Sequence, residues 1–464
     1  MNTTRTGTYK PSQYNTLISY WDEFVVYNSL SGCLSLLNAE ERTALEDIGG
    51  GNPDIGGMDD DFLDRLLINN YVVPTDIDER VILQEKYLNM QNEGSTLTMT
   101  ILPTLSCNFQ CDYCFQGTNK TGGVMADDVQ DAVIAFVKEK LAGKKSLHIT
   151  WFGGEPTLAM DIIKRISDRL IAYCDKNNIA YQAAIITNGY LLTPECVGEL
   201  YVRRVRTIQI TLDGPSRIHD AIRYLKSSKA GTFSQIIGNI SAYRSEFPIH
   251  TTIRANIDAN NNDLCDELID EMNAVFQSKE NISLYFSLIH ASTKECNHIA
   301  ESVLDGQTYA GMETIWLKKA VNSGLSGIDL PIQNMGMCGA SKNNGYVIVP
   351  NGDLHKCWET VSRSEYRIGN ICDSPSIHPD AVSKWLDWSP FAEEECRECA
   401  ILPNCLGFCR YHFIYKENYS GHSKESMCPS LKYQISERLR LYLDTHNHRP
   451  EKAAVVEKNW RDCT

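Results

Sequence analysis

From about residue 96 to 290 the chain alternates short β-rich runs with helical patterns, and no other feature restricts its fold so strongly. Leu97–Leu102, Leu147–Trp151, Tyr181–Ile186, Thr207–Leu212, His250–Ile257 and Ile282–Ile289 read as strands. Between the first two, Val129, Val133, Ile134, Val137 and Leu141 make an apolar stripe at helical spacing, with Asp127 or Asp128 as its cap. Gly143 is the expected stop, because glycine enters a left-handed turn at no steric cost. Ile162–Tyr173 repeats the pattern after the second strand. Six such units predict an α/β fold, a parallel sheet with helices outside it. Six is fewer than the eight of a closed barrel. In parallel α/β architectures ligands sit at the carboxyl ends of the strands. The loop around Cys107, Gly153-Gly154, Thr187-Asn188-Gly189 and Asp213-Gly214-Pro215 each follow a predicted strand directly, so all four are expected on one rim.

At 464 residues two or three domains are expected, and 42% apolar with 22% charged residues describes a soluble globular chain. No run of eighteen apolar residues suits a membrane span, and the first residues lack a secretory core, so a cytoplasmic protein is expected. A net charge of −15 argues against nucleic acid as a partner. Seventeen cysteines in an unexported chain read as metal ligands or reactive thiols rather than disulfides. Ten fall into spaced groups, while Cys33, Cys174, Cys196, Cys265, Cys296, Cys372 and Cys463 are scattered and read as small buried hydrophobes.

Cys107, Cys111 and Cys114 have the spacing CxxxCxxC on one short loop. Three thiolates there can hold three irons of a 4Fe–4S cluster and leave the fourth iron without a protein ligand. Thirty-nine residues after Cys114 comes Gly153-Gly154-Glu155-Pro156. Together these motifs resemble the radical S-adenosylmethionine (SAM) enzymes. The resemblance implies an open, partial (β/α)6 TIM-like barrel, which the strand count matches. It implies that the amine and carboxylate of SAM bind the open iron, with Gly153, Gly154 and Glu155 near the amine. Asp213-Gly214-Pro215 with His219-Asp220-Ala221-Ile222-Arg223 resembles a further family signature, which implies Thr211 at the ribose and Arg223 at the methionine carboxylate. A planar guanidinium suits a carboxylate bidentately. Thr187 and Asn188 share the strand-end rim, Arg254 on the next strand is a weaker candidate, and Tyr113 is expected near the adenine. The implied chemistry is one-electron cleavage of SAM to methionine and a 5′-deoxyadenosyl radical, which removes hydrogen from an unactivated C–H bond. The implied electron donor is a flavodoxin or ferredoxin.

After residue 335 cysteine-rich loops take over. Cys338, thirteen residues, Gly352, four residues, Cys357, then Cys396-x2-Cys399-x5-Cys405-x3-Cys409 and Cys428 resemble the SPASM module, which holds two auxiliary 4Fe–4S clusters. Taken alone, the run from Cys396 to Cys409 also suits structural zinc, and a zinc-binding scaffold is the non-enzymatic alternative. The resemblance implies one cluster on Cys396, Cys399, Cys405 and Cys428 and a nearer one on Cys338, Cys357 and Cys409. The nearer one lacks a fourth cysteine. Either its fourth iron is open to a substrate thiol, or Cys372 or Cys296 completes it.

The expected division is 1–95 as an N-terminal module, 96–330 as the barrel, 331–431 as the cysteine-rich domain and 432–464 as a helix and tail. In the first module a hairpin at Tyr27–Gly32, helices at Ala39–Ile48 and Asp59–Leu67 and a strand at Asn69–Pro74 suit a small winged-helix-like unit. Such a unit would bind the leader of a ribosomally made precursor peptide, an exposed strand edge being the dock; a plain structural wrap around the barrel is the alternative. The leading expectation is a peptide maturase forming cross-links, thioethers above all. The rival is an anaerobic sulfatase-maturating enzyme making formylglycine. That family carries an Asp directly after the cysteine matching Cys357; here Trp358 and Glu359 follow, and Glu359 is a weak candidate base.

Overall fold

The computed structural model describes residues 8–49, 60–117, 123–333, 338–374, 376–418 and 428–446. Cys463 and the tail lie outside them. The chain begins with β1 (Tyr9–Pro11) and a three-stranded meander, β2 (Asn15–Tyr20), β3 (Glu23–Asn28) and β4 (Leu34–Leu37). The turn over residues 28–33 joins β3 to β4, so the expected hairpin is present. Helices α1 (Ala39–Gly49) and α2 (Asp60–Ile68) follow, then β5 (Val72–Pro74), which pairs antiparallel with β1 rather than with the meander. A third helix, α3 (Glu79–Gln91), was not expected; Asp78 caps it by accepting from Arg80 N.

The barrel strands are β6 (Thr96–Ile101), β8 (Ser146–Trp151), β9 (Ala180–Thr187), β10 (Val205–Thr211), β12 (His250–Ile257) and β13 (Ile282–Leu288). They pair in parallel in that order, each beside its neighbour in sequence. The helices between them are α4 (Asp127–Lys140), α5 (Met160–Lys176), α6 (Pro194–Val202), α7 (Ser216–Ile222), α8 (Phe233–Arg244) and α9 (Cys265–Val275), with α10 (Gly306–Asn322) after the last strand. In α5, Ile162, Ile163, Ile166, Leu170 and Cys174 are buried, one stripe at helical spacing that packs onto the strands. Burying a side chain such as Leu170 contributes about 1.5–3 kcal/mol. Neither Asp127 nor Asp128 caps α4: Ala126 holds the cap position, and the two carboxylates lie in the first turn, where they favour the positive helix end. Gly143 has φ +73°, as its role as a stop requires.

Two three-residue strands, β7 (Phe109–Cys111) and β11 (Arg223–Leu225), form a separate antiparallel pair. Beyond residue 338, β14 (Gly345–Ile348) pairs in parallel with β6, and β15 (Asp353–His355) and β16 (Gly369–Asn370) extend it antiparallel into one nine-stranded sheet. The expected boundary near 331 is therefore not a boundary of the sheet. Helices α11 (Pro379–Leu386), α12 (Glu394–Arg397), α13 (Leu402–Cys405) and α14 (Arg410–Ile414) are short, and α15 (Leu431–Thr445) is the last. Rather than packing on the cysteine array, the body of α15 lies against α10 and the meander, where Leu439 and Leu443 meet Leu317, Ile18 and Tyr27. The N-terminal module also touches the array: Tyr14, Leu30, Leu83 and Tyr87 share a core with Phe391, Leu402 and Leu406, against which Cys396, Cys399 and Cys405 pack.

Candidate functional site

The four expected motifs do meet at the carboxyl ends of the barrel strands. The cysteine loop follows β6, and its residues Phe109–Cys111 are held by the ladder to β11, in which Cys111 stands opposite Arg223. Cys107 Sγ accepts from Phe109 N at 3.4 Å. Gly153 and Gly154 bring the turn after β8 against that same loop. A Cβ on Gly154 would lie 2.2 Å from Ser106 O, and one on Gly153 2.3 Å from Thr104 O. Gly154 N donates to Thr104 O and Glu155 N to Ser106 O. The close approach that demands glycine is thus to the cysteine loop's own backbone.

Glu155 is fully buried. Its carboxylate accepts from Thr157 N at 3.0 Å, Thr157 Oγ1 at 2.6 Å, Thr187 Oγ1 at 2.7 Å and Asn188 N at 2.7 Å. Four donors fill a carboxylate. Glu155 and Thr187, both expected at the cofactor, tie the end of β9 to the turn after β8. Asn188 extends the tie, its Nδ2 reaching Asn108 Oδ1 at 2.7 Å inside the cysteine loop.

Asp213, also fully buried, accepts from Asn256 N at 3.0 Å and from the Tyr113 hydroxyl, and lies 3.5 Å from Arg223 Nη1. Arg223 donates to the Tyr113 oxygen as well, and Asn256 Nδ2 donates to it at 3.1 Å. Burial pushes the Tyr113 hydroxyl well above its ordinary pKa. Burial opposes the Arg223 charge, but Cys111, Tyr113 and Asp213 outweigh it and hold that group cationic. Tyr113, expected near an adenine, is thus fixed through its hydroxyl to Asp213 and Arg223. Thr211 ends β10 beside Arg254 in register. Arg254 is turned to Asn256 Oδ1 and Ser287 Oγ at 2.7 and 2.9 Å.

Two buried polar atoms at this rim have no partner among the described residues: Nε of Arg223, a donor, and Oε1 of Gln116, an acceptor. Gln116 sits two residues past Cys114 and donates through Nε2 to Gly153 O at 3.4 Å. An amino-acid end carrying a carboxylate and an ammonium offers one complement to each. Three thiols on one loop, with this donor and acceptor around them, fit an iron–sulfur cluster and an amino-acid-bearing ligand. Sequence reasoning missed Gln116 and Asn256. Asn256, near the end of β12, was open to detection by its strand-end position; nothing local marks Gln116.

The remaining seven cysteines separate into two groups. Burial raises the Cys357 thiol well above its ordinary pKa, with Cys409, Glu359 and Cys338 adding to it. Burial pushes Cys409 up to about 12, and Cys338 and Glu359 add. Cys405, also pushed by burial to about 12, faces Cys399, Cys396 and Cys428. This neighbourhood matches the two sets that the resemblance implies. Cys296 stays outside them: it is buried in a capping turn with Thr293, its Sγ 3.4 Å from Thr293 O. Cys372 is exposed beside Asp128 and Asp373. Neither is among the groups that face Cys357 or Cys409. Among the described residues no three His, Cys, Asp or Glu side chains are placed to share a single metal ion. Glu359 accepts from Ser292 Oγ at 2.8 Å; burial raises its carboxyl, and Ser292 and Arg254 work against that. Phe115, Phe152 and Trp358 line up between the cysteine loop and Cys357, with ring centroids 6.4 and 5.5 Å apart.

Residues 101–271 match the family model of the Radical SAM superfamily. The serine-type anaerobic sulfatase-maturating enzyme of Klebsiella aerogenes is 21% identical over 338 residues, 69% of this chain and 80% of that protein. The radical SAM cyclopropyl synthase TigE of Paramaledivibacter caminithermalis is 26% identical over 151 residues, and the chain spans only 31% of its length. That match covers 29% of this chain. The solved structure of anSMEcpe with bound AdoMet has a TM-score of 0.60 at 19% identity, over 79% of this chain and 98% of that one. It shares the fold, an α/β partial barrel. No helix among the described residues is long and apolar enough to cross a membrane.

Proposed function

This chain carries a radical SAM domain over residues 101–271, and we propose that it modifies a ribosomally synthesised precursor peptide by cross-linking, through a thioether from a cysteine thiol. A 4Fe–4S cluster on Cys107, Cys111 and Cys114 supplies, when bound, the electron that splits SAM into methionine and a 5′-deoxyadenosyl radical. Arg223 holds the methionine carboxylate through its free Nε edge, and Gln116 Oε1 and the glycine turn receive the ammonium. Asp213, Tyr113 and Asn256 keep Arg223 in place, and Thr211 meets the ribose. Glu155, Thr187 and Asn188 hold the strand ends so that the cysteine loop does not drift. The Phe115–Phe152–Trp358 row excludes water.

The observation that carries the thioether reading is the nearer group of three thiols, Cys338, Cys357 and Cys409, which neither Cys296 nor Cys372 joins. A cluster on three thiols keeps a position for a substrate thiol. Cys396, Cys399, Cys405 and Cys428 hold the other auxiliary cluster. Glu359, bonded to Ser292 and facing Arg254, receives the proton released at the substrate. The N-terminal module, residues 1–95, binds the leader, a flavodoxin or ferredoxin delivers electrons, and the enzyme works in the cytoplasm.

The Klebsiella relative supports a second reading, formylglycine formation, since it matches over 80% of its own length. anSMEcpe has been solved with a Cp18Cys peptide, so binding an extended peptide suits both readings. The test offers the loaded enzyme each precursor-like peptide encoded beside its gene and a sulfatase-motif peptide. Loss of two hydrogens per cross-link in the former is expected; conversion of the latter alone would reverse the choice.

A further inference from the structure

Two cations are buried next to the nearer group, and neither has an acidic partner among the described residues. Lys356 is 2% exposed and Arg410 3%. They adjoin Cys357 and Cys409 in the chain. Lys356 Nζ donates to Gly345 O at 2.8 Å and to Lys342 O. Arg410 donates to Trp385 O and to the Tyr87 oxygen. Carbonyls and a phenol solvate a charge without neutralising it. The other groups facing Lys356 are Arg410 and Cys338; those facing Arg410 are Tyr87 and Cys338. An uncompensated cation in a low-dielectric interior is strongly disfavoured, so the fold has reserved a place for an anion there.

We propose that Lys356 and Arg410 are built-in counter-cations for the cluster on Cys338, Cys357 and Cys409, and make it the more readily reduced of the two auxiliary clusters. This rests on the reading that those cysteines hold a cluster. Net charge and its surroundings set the potential of an iron–sulfur centre. Here Lys356 and Arg410 both face Cys338, and one carboxyl, Glu359, faces Cys357 and Cys409. The other group meets the opposite balance. Among the described residues only the partly buried Lys432 approaches, 3.6 Å from Cys428 Sγ, while Glu393 and Glu395 face the same thiols. Adding one electron, with no proton, is therefore easier at the nearer site, because buried charges interact across a low dielectric.

The test is a potentiometric titration of the fully loaded enzyme followed by electron paramagnetic resonance, with dithionite as one-electron reductant. Cys338→Ala and Cys428→Ala proteins assign each signal to its group. The signal that Cys338→Ala removes should be the first auxiliary signal to reduce. Lys356→Met and Arg410→Gln should each change the reduced-to-oxidised ratio of that cluster about tenfold at fixed potential, a fall of about 59 mV, and leave the other unmoved. Equal shifts in both clusters, or none, would overturn the inference. Cys338→Ala protein with undiminished iron would instead remove the cluster reading beneath it. Because a buried lysine could be only a hydrogen-bonding post, the metal-free proteins are melted as well. Metal-free Lys356→Met should be no less stable than its parent, and marked destabilisation would count against the proposal.

Discussion

Replacing Arg223 by methionine removes the one cation that stands opposite Cys111 in the β7–β11 ladder. In the parent its Nη1 is occupied by Tyr113 and Asp213, whereas Nε is buried without a partner among the described residues. A charged hydrogen bond contributes about 1.5–3 kcal/mol. At about 1.4 kcal/mol per tenfold, losing the bond to the SAM carboxylate weakens SAM binding about 10- to 150-fold. A second cost falls on stability. Asp213 is fully buried and loses its ion-pair partner, and breaking such a pair costs about 3–5 kcal/mol. The Asn256 and Tyr113 bonds remain, which places the loss at the lower end. The assay is equilibrium binding of SAM to anaerobically loaded protein, with iron and sulfide counted to show that the cluster is intact. Binding within about threefold of the parent, at full iron content, would refute the assignment of Arg223 to the carboxylate.

Glu155→Gln replaces an acceptor of four bonds by an amide with one acceptor oxygen, so a loss of about 2–4 kcal/mol in unfolding free energy is expected in denaturant titration. Gly154→Ala sets a methyl group 2.2 Å from Ser106 O and 2.3 Å from Leu105 O; it should cost the protein the iron of its first cluster while the auxiliary iron stays, as read by iron analysis and Mössbauer spectra. Cys296→Ala and Cys372→Ala should each retain full auxiliary iron, since both thiols lie outside the two groups; a missing cluster in either would supply the fourth ligand and close the position offered to a substrate thiol.

The barrel was legible because each strand carries its own signal. Alternation of burial along β8 and β9 reproduces what Leu147, Ile149, Trp151, Tyr181 and Ile185 announce, and the edges fell within about two residues. Helix α3 escaped because its apolar residues serve two faces: Leu83 and Tyr87 are buried while Val81 and Leu88 point outward. The β7–β11 pair escaped for another reason. Three residues are too few to show alternation, and their partners lie more than a hundred positions apart. Spacing marked the array cysteines, but the division into two sets came from the resemblance, because the sets interleave along the chain: Cys409 faces Cys338, and Cys428 faces Cys399. Spacing did not show the bonds that Glu155, Thr187 and Tyr113 make to other loops. No local pattern reveals that a rim residue is a tie rather than a contact.

Reductive cleavage of SAM by protein with alanine at positions 107, 111 and 114 tests the central claim most directly. With dithionite under anoxic conditions, the parent should release 5′-deoxyadenosine and methionine in equal amounts. The triple variant should keep its auxiliary iron and release neither. Undiminished 5′-deoxyadenosine from that variant would show that the loop opposite Arg223 is not where the chemistry begins.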